Sequence, residues 1–323
     1  MTAVEGDHKT GLPTVSVVVP VFNAESTLEE LCSRIHAALS EPGIDFELIL
    51  VNDGSRDSSW EVIKGLTASL PCVKGINLMR NYGQHNALLA GIRKAGNEVI
   101  VTLDDDLQNP PEEIPRLIDK LTEGYDVVYG KPTVRHHKIW RNVSSWALKL
   151  VLKTVMGAEM GRHSSPFRAF RSVLKRGFED FSDARLSIDV LLSWVADRTT
   201  HILVDHHARK DGRSGYSLSK LSLLAFDLLT GFSILPLRIA SGVGLTTALA
   251  GIVIFFYVVL RRLLEPNYVP GFAFLASEIA LFAGLQLFAV GVIGEYVARL
   301  HFRTMGKPAY VVRDEAGDDV LPK

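Results

Sequence analysis

The run from Ile239 to Leu260 holds 22 consecutive residues without a charge, and it restricts the fold more than any other stretch. At 1.5 Å per residue, a helix of that length crosses the ~30 Å hydrocarbon core of a bilayer. Arg261 and Arg262 end it. A second apolar run, Phe272 to Gly294, carries one charge, Glu278. An acid there is costly against lipid and is expected to face another helix or the interface. The link 261–271 is short, as in a helical hairpin, so both ends of the pair are expected on one side of the membrane. Arg299, Arg303 and Lys307 follow the second run and assign that side to the cytosol by the excess of positive charge, although Arg261 and Arg262 on the far side run against it. Before the hairpin, residues 219–236 carry a broad apolar face with Lys220 and Asp227 off it. That suits a helix lying in the membrane interface, or a packed surface helix.

The first two thirds of the chain have another character. Val15 to Pro20, Glu47 to Val51, Val73 to Leu78 and Val99 to Leu103 are short apolar runs, and helical apolar spacing separates them, as at Leu28, Leu31, Ile35 and Leu39. Further helices are expected at 58–69, 86–95 and from Pro110, and a fifth strand at Asp126 to Gly130. This β-α alternation with short connections predicts an α/β fold with a doubly wound, mostly parallel sheet. Beyond it, 142–156 reads as an amphipathic helix, 161–171 as irregular and basic, 188–195 as a helix, 201–206 as a strand and Arg209 to Tyr216 as a basic loop. The segments expected are a tail at 1–13, an α/β domain at 14–216, an interfacial helix at 217–237, a membrane hairpin at 238–295 and a cytosolic tail at 296–323.

Charge and cysteine content exclude several functions. A formal net charge of −1 over 323 residues leaves no electrostatic footprint for nucleic acid. Cys32 and Cys72 supply neither a disulfide framework nor metal-ligand spacing. The first residues lack an apolar signal-peptide core, so the α/β domain is expected to stay in the cytosol. No GxGxxG follows the first strand and no GxxxxGK[ST] is present, which removes a dinucleotide site and a P-loop.

Instead, each strand runs into a polar set: Phe22-Asn23, Asp53-Gly54-Ser55, Arg80-Asn81-Tyr82-Gly83 and Asp104-Asp105-Asp106. Packing does not require four such ends, and open α/β sheets bind ligands there. Three adjacent carboxylates repel one another, and a divalent cation with phosphate on its far side removes that cost. Three acids alone also suit an acidic turn or helix cap; their place fourth in a row of polar strand ends favours the metal site. Asp104 and Asp106 fall on one side and Asp105 on the other, which makes Asp106 the direct Mg²⁺ or Mn²⁺ ligand and turns Asp104 toward the ribose or the metal's waters. Asp53 is placed to accept from a base N–H or to cap a turn, and Arg80 with the open backbone at Gly83 to approach a pyrophosphate. Arg168, Arg209 and Ser214 belong to basic stretches before the membrane region, suited to lipid headgroups in general or to one lipid phosphate held bidentately. The pairs His136-His137 and His206-His207 lack a ligand frame.

Pro20-Val21-Phe22-Asn23, Val51 to Ser55, Arg80 to His85 and Asp104 to Pro111 resemble the successive motifs of family 2 glycosyltransferases with the GT-A fold. Within that family the chain is similar to polyprenyl-phosphate glycosyltransferases over about residues 14–312, including dolichyl-phosphate mannose, bactoprenol glucosyl and undecaprenyl-phosphate 4-deoxy-4-formamido-L-arabinose branches. The last is nearest at Arg80 to Gly91, Asp106 to Leu117, Glu123 to Val128 and Gly294-Glu295-Tyr296. The resemblance implies that Pro20, Phe22 and Asp53, with Asn23 and Glu25 beside them, hold the nucleotide, and that Asp104 and Asp106 bind metal and diphosphate. It implies that Gln108 lies near the donor sugar and that Arg168, Arg209 and Ser214 lie near the acceptor phosphate, with Lys131 standing where many relatives have Arg. A homo-oligomer, a tetramer, is implied as well. Two departures stand out: Ala24 occupies a position where many relatives carry Glu, and Pro166 replaces the Asp of the bactoprenol glucosyl branch. The formamido-arabinose branch also lacks that Asp but has its own pattern there, which this chain does not match.

The reaction implied is inverting transfer of one sugar from a nucleotide-sugar, a UDP-sugar, to a polyprenyl phosphate of the undecaprenyl type at the cytosolic face of the cell membrane. The partners are the two substrates and the bilayer, with no nucleic acid. A glycan-extending relative is expected to carry QxxRW, and none is present. A catalytically silent membrane scaffold with the same fold is expected to have lost the acidic set, which is complete here.

Overall fold

The structure is a computed structural model that describes residues 12–133, 165–179, 181, 187–205, 235–264 and 271–317. The helix expected at 142–156, Arg209 and Ser214, and the interfacial helix up to residue 234 lie outside the described residues. The chain divides into two compact units, one formed by 1–216 with 307–323 and the other by 217–306.

The first unit is built on eight strands: β1 (Val15–Val21), β2 (Phe46–Asn52), β3 (Val73–Leu78), β4 (Val99–Thr102), β5 (Val127–Pro132), β6 (Arg168–Arg171), β7 (Thr199–Val204) and β8 (Val312–Ala316), in the order β7-β5-β6-β4-β1-β2-β3-β8. Every residue of β1 is buried, as expected of a central parallel strand covered on both faces. β1 pairs in parallel with β2 and β4, β2 with β3, and β5 with β7. Two strands correct the sequence-based expectation. The segment expected to be irregular contains β6, which runs antiparallel between β4 and β5, and the expected tail contains β8, antiparallel to β3.

Helices α1 (Leu28–Ser40), α2 (Ser59–Ser69), α3 (Gln84–Lys94), α4 (Ile114–Thr122) and α5 (Ile188–Val195) accompany the strands. α1 buries Leu28, Leu31, Cys32, Ile35 and Leu39, the stripe that its spacing predicts. α3 lays Gly91 directly against Val18 and Val51 of the sheet. A Cβ at Gly91 would lie 2.4 Å from Val18 Cγ1, so only glycine admits this approach.

The second unit contains α6 (Leu235–Leu264) and α7 (Phe272–Thr304). Their apolar windows, Leu237–Arg261 and Leu281–Ala298, are unburied, and large side chains such as Phe255, Phe256 and Leu287 stand exposed. Water does not tolerate an apolar surface of that extent, whereas lipid does. With 33 residues, α7 is about 50 Å long, more than the hydrocarbon core needs. Glu278 precedes the second window and Glu295 falls near its end.

Candidate functional site

The strand order reverses between β1 and β4. The chain builds β1, β2 and β3 outward, then returns to place β4 on the other side of β1. A reversal of this kind leaves a crevice at the C-terminal ends of the strands. The register shows where it opens: β4 pairs with β1 only as far as Val18, whereas β2 continues to Val21. Pro20, buried and without an N–H, sits beyond the end of the β1–β4 ladder, where no strand bond is lost.

Hydrogen bonds tie the four polar strand ends into one floor. The Asn23 N–H donates to Ser55 Oγ (3.0 Å), and Asn23 Oδ1 accepts from the Arg56 N–H (2.8 Å). The Glu25 N–H donates to Asp57 Oδ2 and Glu25 Oε2 accepts from the Ser58 N–H. These bonds hold Asn23 at φ +53°, in the left-handed region that costs a non-glycine residue ~1 kcal/mol or more. Asp53, buried, accepts from the N–H groups of Tyr82 (2.7 Å) and Gly83 (2.9 Å). Burial pushes its carboxyl above the ordinary carboxylate range, and these two donors only partly oppose that. Asp53 therefore acts first on the protein itself, by shaping the 80–83 loop. Arg80, exposed, stacks on the Tyr82 ring at 4.9 Å.

The acidic turn splits as its alternation suggests. Asp105 faces back, with Oδ2 accepting from the Phe22 N–H (3.0 Å) and its carbonyl accepting from Thr27 Oγ1 (2.8 Å). Gln84 Nε2 donates to Asp104 Oδ1, and the Gln108 N–H donates to Asp106 Oδ1 (3.2 Å). Leu107, buried at φ +58°, is the sharp corner that returns the chain after Asp106. Among the described residues no three His, Cys, Asp or Glu side chains converge as a metal cage. Two hard carboxylates beside an open crevice fit Mg²⁺ or Mn²⁺, which take one or two carboxylates and complete their shell with substrate phosphate and water.

Beside this turn a cavity of about 450 Å³ is lined by Phe22, Asn23, Gly54, Arg56, Arg80 and Asn81. Phe22 is 46% exposed and offers a ring face on which a planar group can stack. Arg56 was given no role from sequence and Asn81 only a place in its motif; Arg56 sits one residue past the Val51 to Ser55 motif, and only the fold brings both to one cavity. A larger groove, about 840 Å³, lies between α1 and α2, and none of the strand-end residues lines it.

Arg168, expected at an acceptor phosphate, is 1% exposed on β6, its guanidinium pairs with Asp189 Oδ1, and its Nε donates to Thr102 Oγ1 (3.1 Å). It thus braces the last residue of β4, two positions before Asp104. Buried Tyr129 and half-buried His85 interact with the same pair. Burial first, then the Asp189 charge, raises the Tyr129 pKa. Burial lowers that of His85; Asp189 works against the shift and Arg168 with it. Asp189 carried no sequence signal, because its partner lies 21 residues away. Lys131 lies at the end of β5, and its charge, after desolvation, lowers the pKa of His201 on β7.

The family model described as "Glycosyl transferase family 2" matches residues 16–179, which span all four strand ends. An undecaprenyl-phosphate 4-deoxy-4-formamido-L-arabinose transferase from Shewanella sediminis is 39% identical, over 95% of this chain and 94% of its own. The protein of the same name from Pseudomonas paraeruginosa is 38% identical, over 92% and 89%. Among solved structures, glucosyl-3-phosphoglycerate synthase from Mycobacterium tuberculosis, in complex with Mn²⁺, uridine diphosphate and glucosyl-3-phosphoglycerate, is 19% identical over 68% of this chain and 78% of its own, with a TM-score of 0.48. Staphylococcus aureus TarS 1–349 is 20% identical over 59% and 60%, with a TM-score of 0.44.

Proposed function

Because the chain belongs to glycosyl transferase family 2, we propose that it moves one sugar from a UDP-sugar to a polyprenyl phosphate of the undecaprenyl type, with inversion, at the cytosolic face of the cell membrane. The observation that carries this is that Asp105, between Asp104 and Asp106, accepts from the N–H of Phe22, which lines a cavity built from the other three strand ends. The near-complete overlap with curated transferases named for undecaprenyl phosphate supports the acceptor.

The nucleotide occupies the cavity, with its base against Phe22 and Asn23 and its diphosphate toward Arg80 and the N–H groups of the 80–83 loop. Asp104 and Asp106 would hold Mg²⁺ or Mn²⁺, which would supply neutralisation of the charge that builds on the departing diphosphate. Gln108, held next to Asp106 through its own N–H, is placed beside the donor sugar. The acceptor is a phosphate monoester with a second pKa near ~6, so it is largely dianionic at neutral pH and needs no strong base. Pro166, standing where one branch has an acid, is therefore compatible with activity. What remains for the protein is alignment of the attacking oxygen with the anomeric carbon and the leaving diphosphate. Lys131, with Arg209 and Ser214, is assigned to the acceptor phosphate, and Arg168 to bracing β4.

Connectivity supports membrane attachment: the chain leaves the first unit after Tyr216 and rejoins it at Lys307, as expected of two apolar helices that cross the bilayer together and return to the catalytic side. A homo-oligomer, a tetramer by family likeness, completes the proposal and is tested by light scattering in detergent. The deciding experiment offers labelled UDP- and GDP-sugars to membranes containing undecaprenyl phosphate. Label is expected in the lipid phase from a UDP-sugar, and Asp106→Ala is expected to abolish it. An undiminished rate in that variant with divalent metal present refutes the assignment.

A further inference from the structure

After the second apolar helix the chain returns to the first unit and lays β8 along the free edge of β3, immediately before the loop that carries Arg80. The contacts concentrate at that end. The Met79 N–H donates to the Val311 carbonyl (2.9 Å), and Arg313 donates to the Met79 carbonyl (3.3 Å). Both backbone groups of the residue before Arg80 are thus held by the returning strand. The register shifts between Asn77 and Leu78, a bulge that re-aims the chain leaving β3.

A second line of contact runs inward. Asn77 Nδ2 donates to Asp314 Oδ2 (3.2 Å), buried Asn52 Nδ2 donates to Asn77 Oδ1 (2.8 Å), and Asn52 Oδ1 accepts from the Ser55 N–H (3.2 Å). Ser55 Oγ in turn accepts from the Asn23 N–H. Two amide side chains therefore connect Asp314 to the 53–56 turn and to Asn23, which line the cavity. Each amide both donates and accepts within this chain of bonds, so its orientation is set by its neighbours. Tyr310 stacks on Arg93 at 5.5 Å and Lys94 pairs with Glu315 at 2.8 Å, fixing β8 to α3, the helix that starts after Gly83.

The geometry points to a positioning role for this strand: Arg313 and Asp314, which follow the membrane hairpin in sequence, hold the 53–56 and 80–83 loops in the conformation that takes the donor nucleotide. The hairpin and the donor pocket are then linked by covalent continuity, and a chain lacking its last 17 residues has a slack pocket. This inference rests on the cavity being the nucleotide site.

The test uses the full-length protein in nanodiscs, the double variant Arg313→Ala/Asp314→Ala, the single variant Asp314→Asn, which keeps an acceptor for Asn77, and a chain ending at Gly306. Two readouts are taken: KM for donor and for acceptor, and amide hydrogen exchange of peptides covering 52–57 and 79–84 without nucleotide. In the double variant the donor KM is expected to rise about fivefold, the effect of one or two lost hydrogen bonds, with the acceptor KM and kcat within about twofold. Exchange in both peptides is expected to quicken. Asp314→Asn is expected to restore both, and the shortened chain to exceed the double variant in both. Unchanged exchange and donor KM, or donor and acceptor KM rising together, overturns the inference. A wild-type protein that binds no nucleotide overturns the reading of the cavity instead, and the exchange arm still decides whether β8 holds the loops.

Discussion

Gly54→Ala tests the site at its tightest point. Gly54 has φ +66°, and a Cβ there would lie 2.5 Å from Arg80 C and Asn81 N and 2.9 Å from Arg80 Cα. All three are backbone atoms, so no side chain can rotate away, and the 80–81 loop must retreat by about 0.9 Å to reach ordinary contact at 3.4 Å. The left-handed backbone alone costs alanine ~1 kcal/mol relative to glycine. The retreat also stretches the bonds from Tyr82 and Gly83 to Asp53, charge-assisted contacts worth ~1.5–3 kcal/mol each. Partial loss of one brings the total to ~1.5–3 kcal/mol, which is divided between stability, if the loop stays, and nucleotide affinity, if it moves. Titration calorimetry with UDP and thermal melts in the same detergent measure both shares. The expectation is UDP binding weaker by about 10- to 100-fold, with a melting temperature lower by a few degrees at most. Gly65→Ala is the control, because its Cβ meets nothing within 4 Å and lies within α2, where alanine is favoured by up to ~1 kcal/mol. If Gly54→Ala matches that control in both measurements, the close approach of the two loops is refuted and the cavity with it.

Three further outcomes follow from the site. Asp189→Ala leaves the buried Arg168 charge without its partner and is expected to lower stability by ~3–5 kcal/mol, whereas Arg168→Met with Asp189→Leu recovers most of the loss; denaturant titration that ranks the double variant below the single refutes the pairing. His85 is half-buried and desolvation lowers its pKa, so the unfolded chain takes up the proton first as pH falls. Its contribution is intact above the unfolded value near ~6.5 and is lost progressively below it. Melts between about pH 7.5 and about pH 5.5 should therefore show a steeper fall for the wild type than for His85→Gln, and parallel curves refute this. Chelation with EDTA is expected to stop sugar transfer, and added Mg²⁺ or Mn²⁺ to restore it; transfer that persists in EDTA removes the metal from the proposal.

Much of the site was legible because its residues follow directly on apolar runs. Phe22, Asn23, Asp53, Arg80 and Asp104 each terminate or follow a strand, and parallel strands bring such ends to one edge whatever their distance in sequence. The alternation of Asp104, Asp105 and Asp106 was legible for the same local reason, and Asp105 does face back toward Phe22. The burial of Arg168 was not legible, because a basic residue in a short polar stretch carries no local signal for it. Only its antiparallel pairing with Thr102 and the approach of α5 bury it against Asp189. Arg56 and Asn81 belong to the cavity through a meeting of two turns about 25 residues apart, which no periodicity records.

By itself the sequence determined the elements whose signal is local: the β-α alternation, the polar strand ends, and two helices too apolar for water. Apolar period, charge and run length act over a few residues, so they can be read directly. The tertiary structure alone decided which strands are neighbours. β6, Arg168-Ala169-Phe170-Arg171, and β8, Val312-Arg313-Asp314-Glu315-Ala316, are short and interrupted by charge, so neither has an apolar run of its own, and each is a strand only because an edge of complementary hydrogen-bonding groups receives it. That long-range pairing wedges Arg168 behind the acidic turn, and it returns the end of the chain, after the apolar hairpin, to the loop that carries Arg80.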